Sequence, residues 1–243
     1  MWFPAISGVI DRRILINFRV DREVVQRYLP APFRPKLYED KAIVGICLIR
    51  LISVRPKGLP ALFGFTSENG AHRVAVEWDA GNGLQEGVFV PRRDTSSRLN
   101  AAAGGRVFPG EHHRSRFYVH EGDGDYAISF VSEDQTSLSI KASETNEWNS
   151  ASVFPDMEAA SEFMRQGKFG YSPVGSQGAF EGLELRTERW QTTSLVVSEV
   201  SSSFFMNQSV FPKGSVEFDC AMLMRNISHE WHGLPSLGAS APA

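Results

Sequence analysis

A chain of 243 residues, 42% hydrophobic and 22% charged, has ordinary globular composition, which excludes disorder and gives a core large enough to need no disulfide staples. A net charge of −3 and a pI near 6.1 exclude a general nucleic-acid footprint. Met1 to Ile10 is apolar but lacks a basic n-region and a small-residue cleavage site, so no signal peptide is expected, and no stretch approaches the ~20 apolar residues of a membrane helix.

In chain order, residues 13–19 (RILINFR) read as a strand. Asp21 is placed to cap a short helix from Arg22 to Tyr28, which Pro30 and Pro32 terminate. Residues 42–54 are apolar on both alternating faces and rich in β-branched side chains, which predicts a strand covered on both sides. In 71–79, Val74, Val76 and Trp78 alternate with Arg73 and Glu77, and the Asn82-Gly83 turn returns the chain along 84–90. Thr95 to Ala103 reads as a helix closed by Gly104-Gly105. Strands follow at 114–120, 125–132 and 136–142.

Asp156 to Gln166 is the best-marked helix, with an acidic first turn and Gly167 as its stop. The run Gly167 to Pro173 reads as a helix exit and loop, possible rim material for a pocket. Strands resume at 182–190, 194–205 and 215–226, the last alternating Val216, Phe218, Cys220, Met222 and Met224 with Glu217, Asp219 and Arg225. Asp219, Glu217 and Arg225 are expected on one solvated face. Few helices and closely spaced strands predict a mainly antiparallel β protein of the α+β kind, a barrel or sandwich over residues 1–237, with a frayed tail from Gly238 to Ala243. Cys47 and Cys220 lie in apolar runs and are expected as buried free thiols, in keeping with a reducing cytoplasm. Asn207 and Asn226 open formal glycosylation sequons that mean little without secretion.

The densest run of functional groups is Pro91-Arg92-Arg93-Asp94-Thr95-Ser96-Ser97-Arg98. Guanidinium groups there suit a carboxylate or phosphate, because their paired N–H donors match two oxygens. A surface ion-pair cluster around Asp94 and Glu86 explains the same residues. In Thr66 to His72, Glu68 beside a glycine turn reads as a pocket carboxylate tuned by His72, or as a solvated loop residue. Adjacent histidines at 112–113 and the His229-Glu230-Trp231-His232 run lack metal-ligand spacing, and the glycine-rich pieces match no phosphate or dinucleotide loop. Neither metal nor cofactor is expected.

Arg12 through Leu29 with its Pro-Ala-Pro-Phe turn, the Thr-Ser-Glu-Asn-Gly segment and Val90-Pro91-Arg92-Arg93 resemble, in order and approximate spacing, the first half of acetoacetate decarboxylase. The Val-Pro-Arg-Arg-Asp-Thr-Ser-Ser-Arg-Leu-Asn run, the Gly-Lys-Phe-Gly-Tyr-Ser-Pro run and the late His-Glu-Trp are similar to an uncharacterised bacterial family of that superfamily. The resemblance implies a double-layered antiparallel β barrel, or cone, with a central pocket. It implies that Arg12 and Glu68 are pocket residues, that Arg92 stands in place of the Schiff-base lysine, and that Arg93 stands in place of its cationic neighbour. A second pocket glutamate of the family falls in Gly45-Ile46-Cys47, which holds no acid.

An imine needs a neutral amine, and arginine stays protonated, so Schiff-base chemistry at residue 92 is excluded. Lys141, in a strand with Ser137 and Ser139, is the remaining candidate for a relocated nucleophile. The expected function is binding of a small carboxylate or other anionic metabolite by Arg12, Arg92, Arg93 and Arg98. Lyase- or hydrolase-like chemistry on an oxo or hydroxy acid would use Arg92 for electrostatic stabilisation and Glu68 for proton transfer. A non-catalytic sensor, and a partner-binding scaffold using Phe204 and Phe205, are the other readings. Neither nucleic acid nor membrane is an expected partner, and a homo-oligomer remains open.

Overall fold

Runs of β-branched and aromatic residues too long for single hairpins force the chain into one mixed sheet of 13 strands. The computed structural model describes residues 5–81, 83–98, 109–175 and 178–238. The strands are β1 (Ile6–Asp21), the two-residue β2 (Arg34–Pro35) and β3 (Leu37–Tyr38), β4 (Lys41–Pro56), β5 (Phe65–Asp79), β6 (Leu84–Thr95), β7 (His112–Gly122), β8 (Asp125–Ser132) and β9 (Ser137–Thr145). They continue as β10 (Phe169–Val174), β11 (Ala179–Thr187), β12 (Thr193–Ser202) and β13 (Val216–Gly238). Helices α1 (Arg22–Tyr28) and α2 (Met157–Arg165) complete the described elements, with a 3-10 turn at Ala61–Phe63. Among the described residues no helix is long and apolar enough to cross a membrane.

The pairing closes on itself twice. β13, β1, β4, β5 and β6 are successive neighbours, and β6 then leads back to β13 by two routes. One runs through β7, β8, β9 and β12, the other through β10 and β11. The five shared strands are therefore covered on both faces, which is why 42–54 is apolar throughout. Ile14, Ile16, Ile46, Leu48 and Val74 pack with Phe117, Ile128, Phe130 and Ile140 in the first circuit. Leu15, Cys47, Leu51, Ala75 and Met222 belong to a second core, which Phe163 and Met164 of α2 cover.

Two bulges decide which residue goes to which side. Ile10 pairs with Leu51 but Arg12 with Arg50, so β1 carries an extra residue at Asp11. Val74 pairs with Phe89 but His72 with Arg92, so β6 carries an extra residue around Val90-Pro91. Proline has no N–H for the ladder and is at home in a bulge. Each extra residue inverts the alternation downstream of it. Ile10 and Arg13, rather than Arg12, face the second circuit. Val88, Val90 and Arg93, rather than Arg92, do the same.

Most expected elements form, with altered ends. The first strand begins at Ile6, before Arg13, and the last runs on past Arg225. Thr66 to His72 is strand in β5, not a glycine turn. Gly167 to Pro173 is not all loop, because Phe169–Val174 pairs as β10. Asp21 occupies the N-cap position of α1 but makes no cap, its carboxylate going to Lys41 at 2.7 Å. Asp156 does cap α2, accepting from the Ala159 N–H at 2.8 Å. In the helix expected over 95–103, Thr95 closes β6 and residues 99–103 lie outside the described ones, as do residues 239–243 of the tail. Asp219 is fully buried rather than solvated, accepting from Ser152 and from the Val153 N–H.

Gly45 is where β4 passes nearest to β1: a Cβ there would overlap the Ile16 carbonyl oxygen, and neither backbone has room to move. Gly45→Ala is expected to lower stability in urea by about 3 kcal/mol, as overpacking of a core does. Gly122→Ala, which meets nothing within 4 Å, should unfold near the wild-type midpoint.

Candidate functional site

The second circuit encloses a cavity of about 130 Å³. Its wall is largely apolar, from Ile10, Leu15, Ile49, Val88, Val90 and Leu183, and three guanidinium groups interrupt it. Arg13 comes from β1, Arg73 from β5 and Arg93 from β6, with Cys47 of β4 beside them. Arg73 donates to the Cys47 sulfur at 3.2 Å and to the Asn17 side-chain oxygen. Arg13 reaches the same sulfur at 3.6 Å and lies 5.6 Å from the Trp190 ring centre. Its Nε and Nη1 are buried without a hydrogen-bond partner. Arg93 donates to the Pro109 carbonyl at 2.9 Å and to Ser172 Oγ at 3.4 Å. Among the described residues no carboxylate stands within ion-pair distance of any of the three.

That arrangement governs the charges. Burial alone would raise the Cys47 pKa, but the Arg13 and Arg73 charges, with their hydrogen bonds, outweigh it and hold the thiol below its ordinary value. Burial lowers Arg93 to about 10, against the pull of Cys47, so it remains a cation at neutral pH. The cavity thus holds positive charge in a low-dielectric wall, where an anion is attracted most strongly.

The residues singled out from sequence divide between the two sides of the shared strands. Arg93 lines the cavity; Arg12, Glu68 and Arg92 do not. Arg12, fully buried, bonds Glu68 at 2.5 Å and Glu121 at 2.6 Å, and Arg50 bonds the same two carboxylates at 2.6 and 2.5 Å. This closed quartet leaves Glu68 engaged on both oxygens. Arg92 grips Asp94 through two bonds of 2.9 and 2.8 Å, and it also binds Asp134 and Ser132. Asp94 touches the cavity wall, yet its carboxylate is committed to Arg92 and to Ser115. Arg98 is exposed.

Lys141 is exposed and pairs with Glu199 at 2.7 Å, away from the cavity. Lys168 is the lysine of the cavity lining, at its solvent edge, with its ammonium 4.9 Å from the Phe169 ring centre. Neither ring nitrogen of His72 has a hydrogen bond; Nδ1 lies 3.6 Å from the Asp94 carboxylate, and the ring packs 4.4 Å from Phe204. Phe204 and Phe205 belong to the core around His72 and Phe211. No group of three metal-ligating side chains occurs among the described residues.

A family model described as an uncharacterised conserved protein matches residues 10–215. The chain belongs to that family, DUF2071. No curated protein matches it. This DUF2071 chain is similar in structure to acetoacetate decarboxylase from Legionella pneumophila, with 11% identity and a TM-score of 0.60 over 96% of this chain and 88% of that one. It is similar to an acetoacetate decarboxylase-like enzyme from Sphingomonas wittichii RW1, with 10% identity and a TM-score of 0.60 over 98% and 95%. The enduracididine biosynthesis enzyme MppR, complexed with pyruvate, aligns at 10% identity and a TM-score of 0.59 over 99% and 91%. At such identities the likeness establishes the fold of the DUF2071 chain, the one that its Arg-x-Asp and Val-Pro-Arg-Arg segments resemble.

Arg13 and Arg73 escape a reading based on motifs, and so does the role of Cys47. Adjacent arginines in a strand point to opposite sides, and only the bulge positions tell which one enters the cavity. His72 and His229 are held neutral by burial, at about 3 and about 4. Histidine pKa values depressed in the fold stabilise it above the unfolded value near 6.5 and cease to as pH falls through the folded values. The melting temperature is expected to decline between pH 6.5 and 4 and to decline less in His72→Phe, which keeps the ring packing; differential scanning calorimetry across pH checks both.

Proposed function

We propose that this protein binds a small carboxylate in the cavity, gripped by Arg93, Arg13 and Arg73. The observation that carries the reading is the set of three guanidiniums, without a carboxylate partner among the described residues, facing one enclosed and mostly apolar space. Burying a cation is costly unless an anion joins it. Natural chains keep such groups where they serve a ligand. Arg93 and the unused donors of Arg13 offer N–H groups to carboxylate oxygens. A cavity near 130 Å³ approaches the ~150 Å³ that accepts benzene, so a ligand of about six non-hydrogen atoms fits. Pyruvate has that size, and MppR of the same fold is seen complexed with it.

Glu68 has no part in this reading. With both its oxygens bound to arginines and its side chain outside the cavity wall, it is a structural partner rather than a proton carrier. Arg92 likewise holds Asp94 and Asp134 in place. The two free thiols suit a reducing compartment such as the cytoplasm.

Two measurements test the proposal. In calorimetric titration with pyruvate and other short oxo acids, Arg93→Met should lose at least tenfold in affinity, the worth of about 1.5 kcal/mol for a charged hydrogen bond. The same substitution should stabilise the ligand-free protein by about 1–2 kcal/mol, because it removes an uncompensated charge. Arg12→Met should do the reverse, costing roughly 3 kcal/mol of stability by breaking a buried ion pair and leaving affinity near wild type. If Arg12→Met abolished binding while Arg93→Met did not, the assignment would be wrong. Borohydride added with pyruvate should leave the protein mass unchanged, since no cavity-lining arginine forms an imine and Lys168 stands at the exposed edge, apart from the three guanidiniums.

A further inference from the structure

Cys47 is a thiol in contact with two of the cavity's arginines. Its sulfur receives Arg73 Nε at 3.2 Å and Arg13 Nη2 at 3.6 Å, and its side chain forms part of the cavity wall. Only 3% of the residue is open to solvent, yet the cavity reaches the surface beside exposed Lys168, so a small molecule can approach. Cys220, the other free cysteine, supplies the contrast. It lies outside the cavity wall, takes a hydrogen bond from the Asn17 amide at 3.4 Å, and has Asp219 next to it.

We infer that Cys47 is a nucleophile that bonds to an electrophilic carbon adjacent to the carboxylate of a bound ligand. The inference rests on the carboxylate-binding reading above and adds the ligand class: acids whose α carbon accepts a nucleophile, α-oxo acids first among them. The arginines do two jobs at once. They draw the carboxylate into the cavity, and they stabilise sulfur as the thiolate, the form that reacts. With an α-oxo acid the sulfur forms a bond to the carbonyl carbon, and the π pair of the C=O bond moves to oxygen. The resulting alkoxide takes a proton from water, giving a hemithioketal. The step is reversible and consumes no oxidant, reductant or cofactor. The same guanidiniums that hold the thiolate also stand ready to stabilise the alkoxide. Burial raises the Cys220 thiol, and Asp219 adds to the effect, so that cysteine stays protonated and inert.

Two alkylating reagents of like size and opposite recognition test this. Iodoacetate carries the carboxylate and iodoacetamide does not; with either, the sulfur–carbon bond forms as the carbon–iodine bond breaks and iodide leaves. Free thiols react faster with iodoacetamide. At Cys47 the order should invert, with iodoacetate faster by about tenfold, the lower range of electrostatic focusing in a charged cleft. The site-resolved rates are read by peptide mass spectrometry, with N-acetylcysteine in the same solution as the free-thiol reference and Cys220 expected to stay unmodified. Arg93→Gln should erase the preference, and saturating pyruvate should slow alkylation of Cys47. A Cys47 that stays unmodified, or that prefers iodoacetamide in the folded wild type, overturns the inference. Calorimetric titration of Cys47→Ser with pyruvate separates the two readings. Retained binding with an inert Cys47 sinks the nucleophile alone, whereas no pyruvate binding by wild type or by Cys47→Ser sinks the carboxylate site as well.

Discussion

The structure depends on one constraint: five neighbouring strands serve two closed circuits at once, so along their central parts each side chain goes to one interior or the other. A sheet with a wet face can tolerate a misplaced charge, because water will solvate it. Here the middles of β1, β4 and β5 are buried on both faces. Charged residues on these strands therefore either find partners or create a site. Arg12 takes the first course, in a quartet with Arg50, Glu68 and Glu121. Arg13, its neighbour, takes the second.

The two sides use the same residue type for opposite ends. In the first circuit guanidinium and carboxylate groups balance, and their geometry is bidentate or cyclic, as for Arg92 with Asp94. Such networks hold strands in register more than they add net stability. In the second circuit three guanidiniums share a thiol, an amide oxygen, a hydroxyl and a main-chain carbonyl, none of them a carboxylate. A charge imbalance of this kind, inside an apolar wall, is what sets the second interior apart from the first.

Much of the fold is legible in sequence, because strands buried on both faces advertise themselves by apolar runs such as 42–49, and helices by their caps and stops, as Asp156 and Gly167 do around α2. The resemblance of the first hundred residues pointed to the right architecture. The site was half legible. The sequence points to Arg12, Arg92 and Arg93 alike, whereas the cavity wall takes Arg93 and, in place of Arg12, its neighbour Arg13. Counting by twos from Val88 and Val90 leads to Arg92, and from Ile10 to Arg12. Only the bulges at Val90-Pro91 and Asp11 correct the count, and a bulge depends on the partner strand, which a single sequence does not display. Glu68 was mistaken for a turn residue because glycine usually breaks strands. Gly70 sits in one here because Phe130 comes close to where its side chain would be.

The paired arginines at 12–13 and 92–93 have a consequence for how such a chain tolerates a slip of register. If either bulge were flattened with its residue kept in the ladder, the inward and outward members of the pair would swap, the change that ruins most two-sided strands. In these two places the swap exchanges one guanidinium for another. Both interiors would still receive the cation they need, and a slip by one would be absorbed where it would otherwise be lethal to the site.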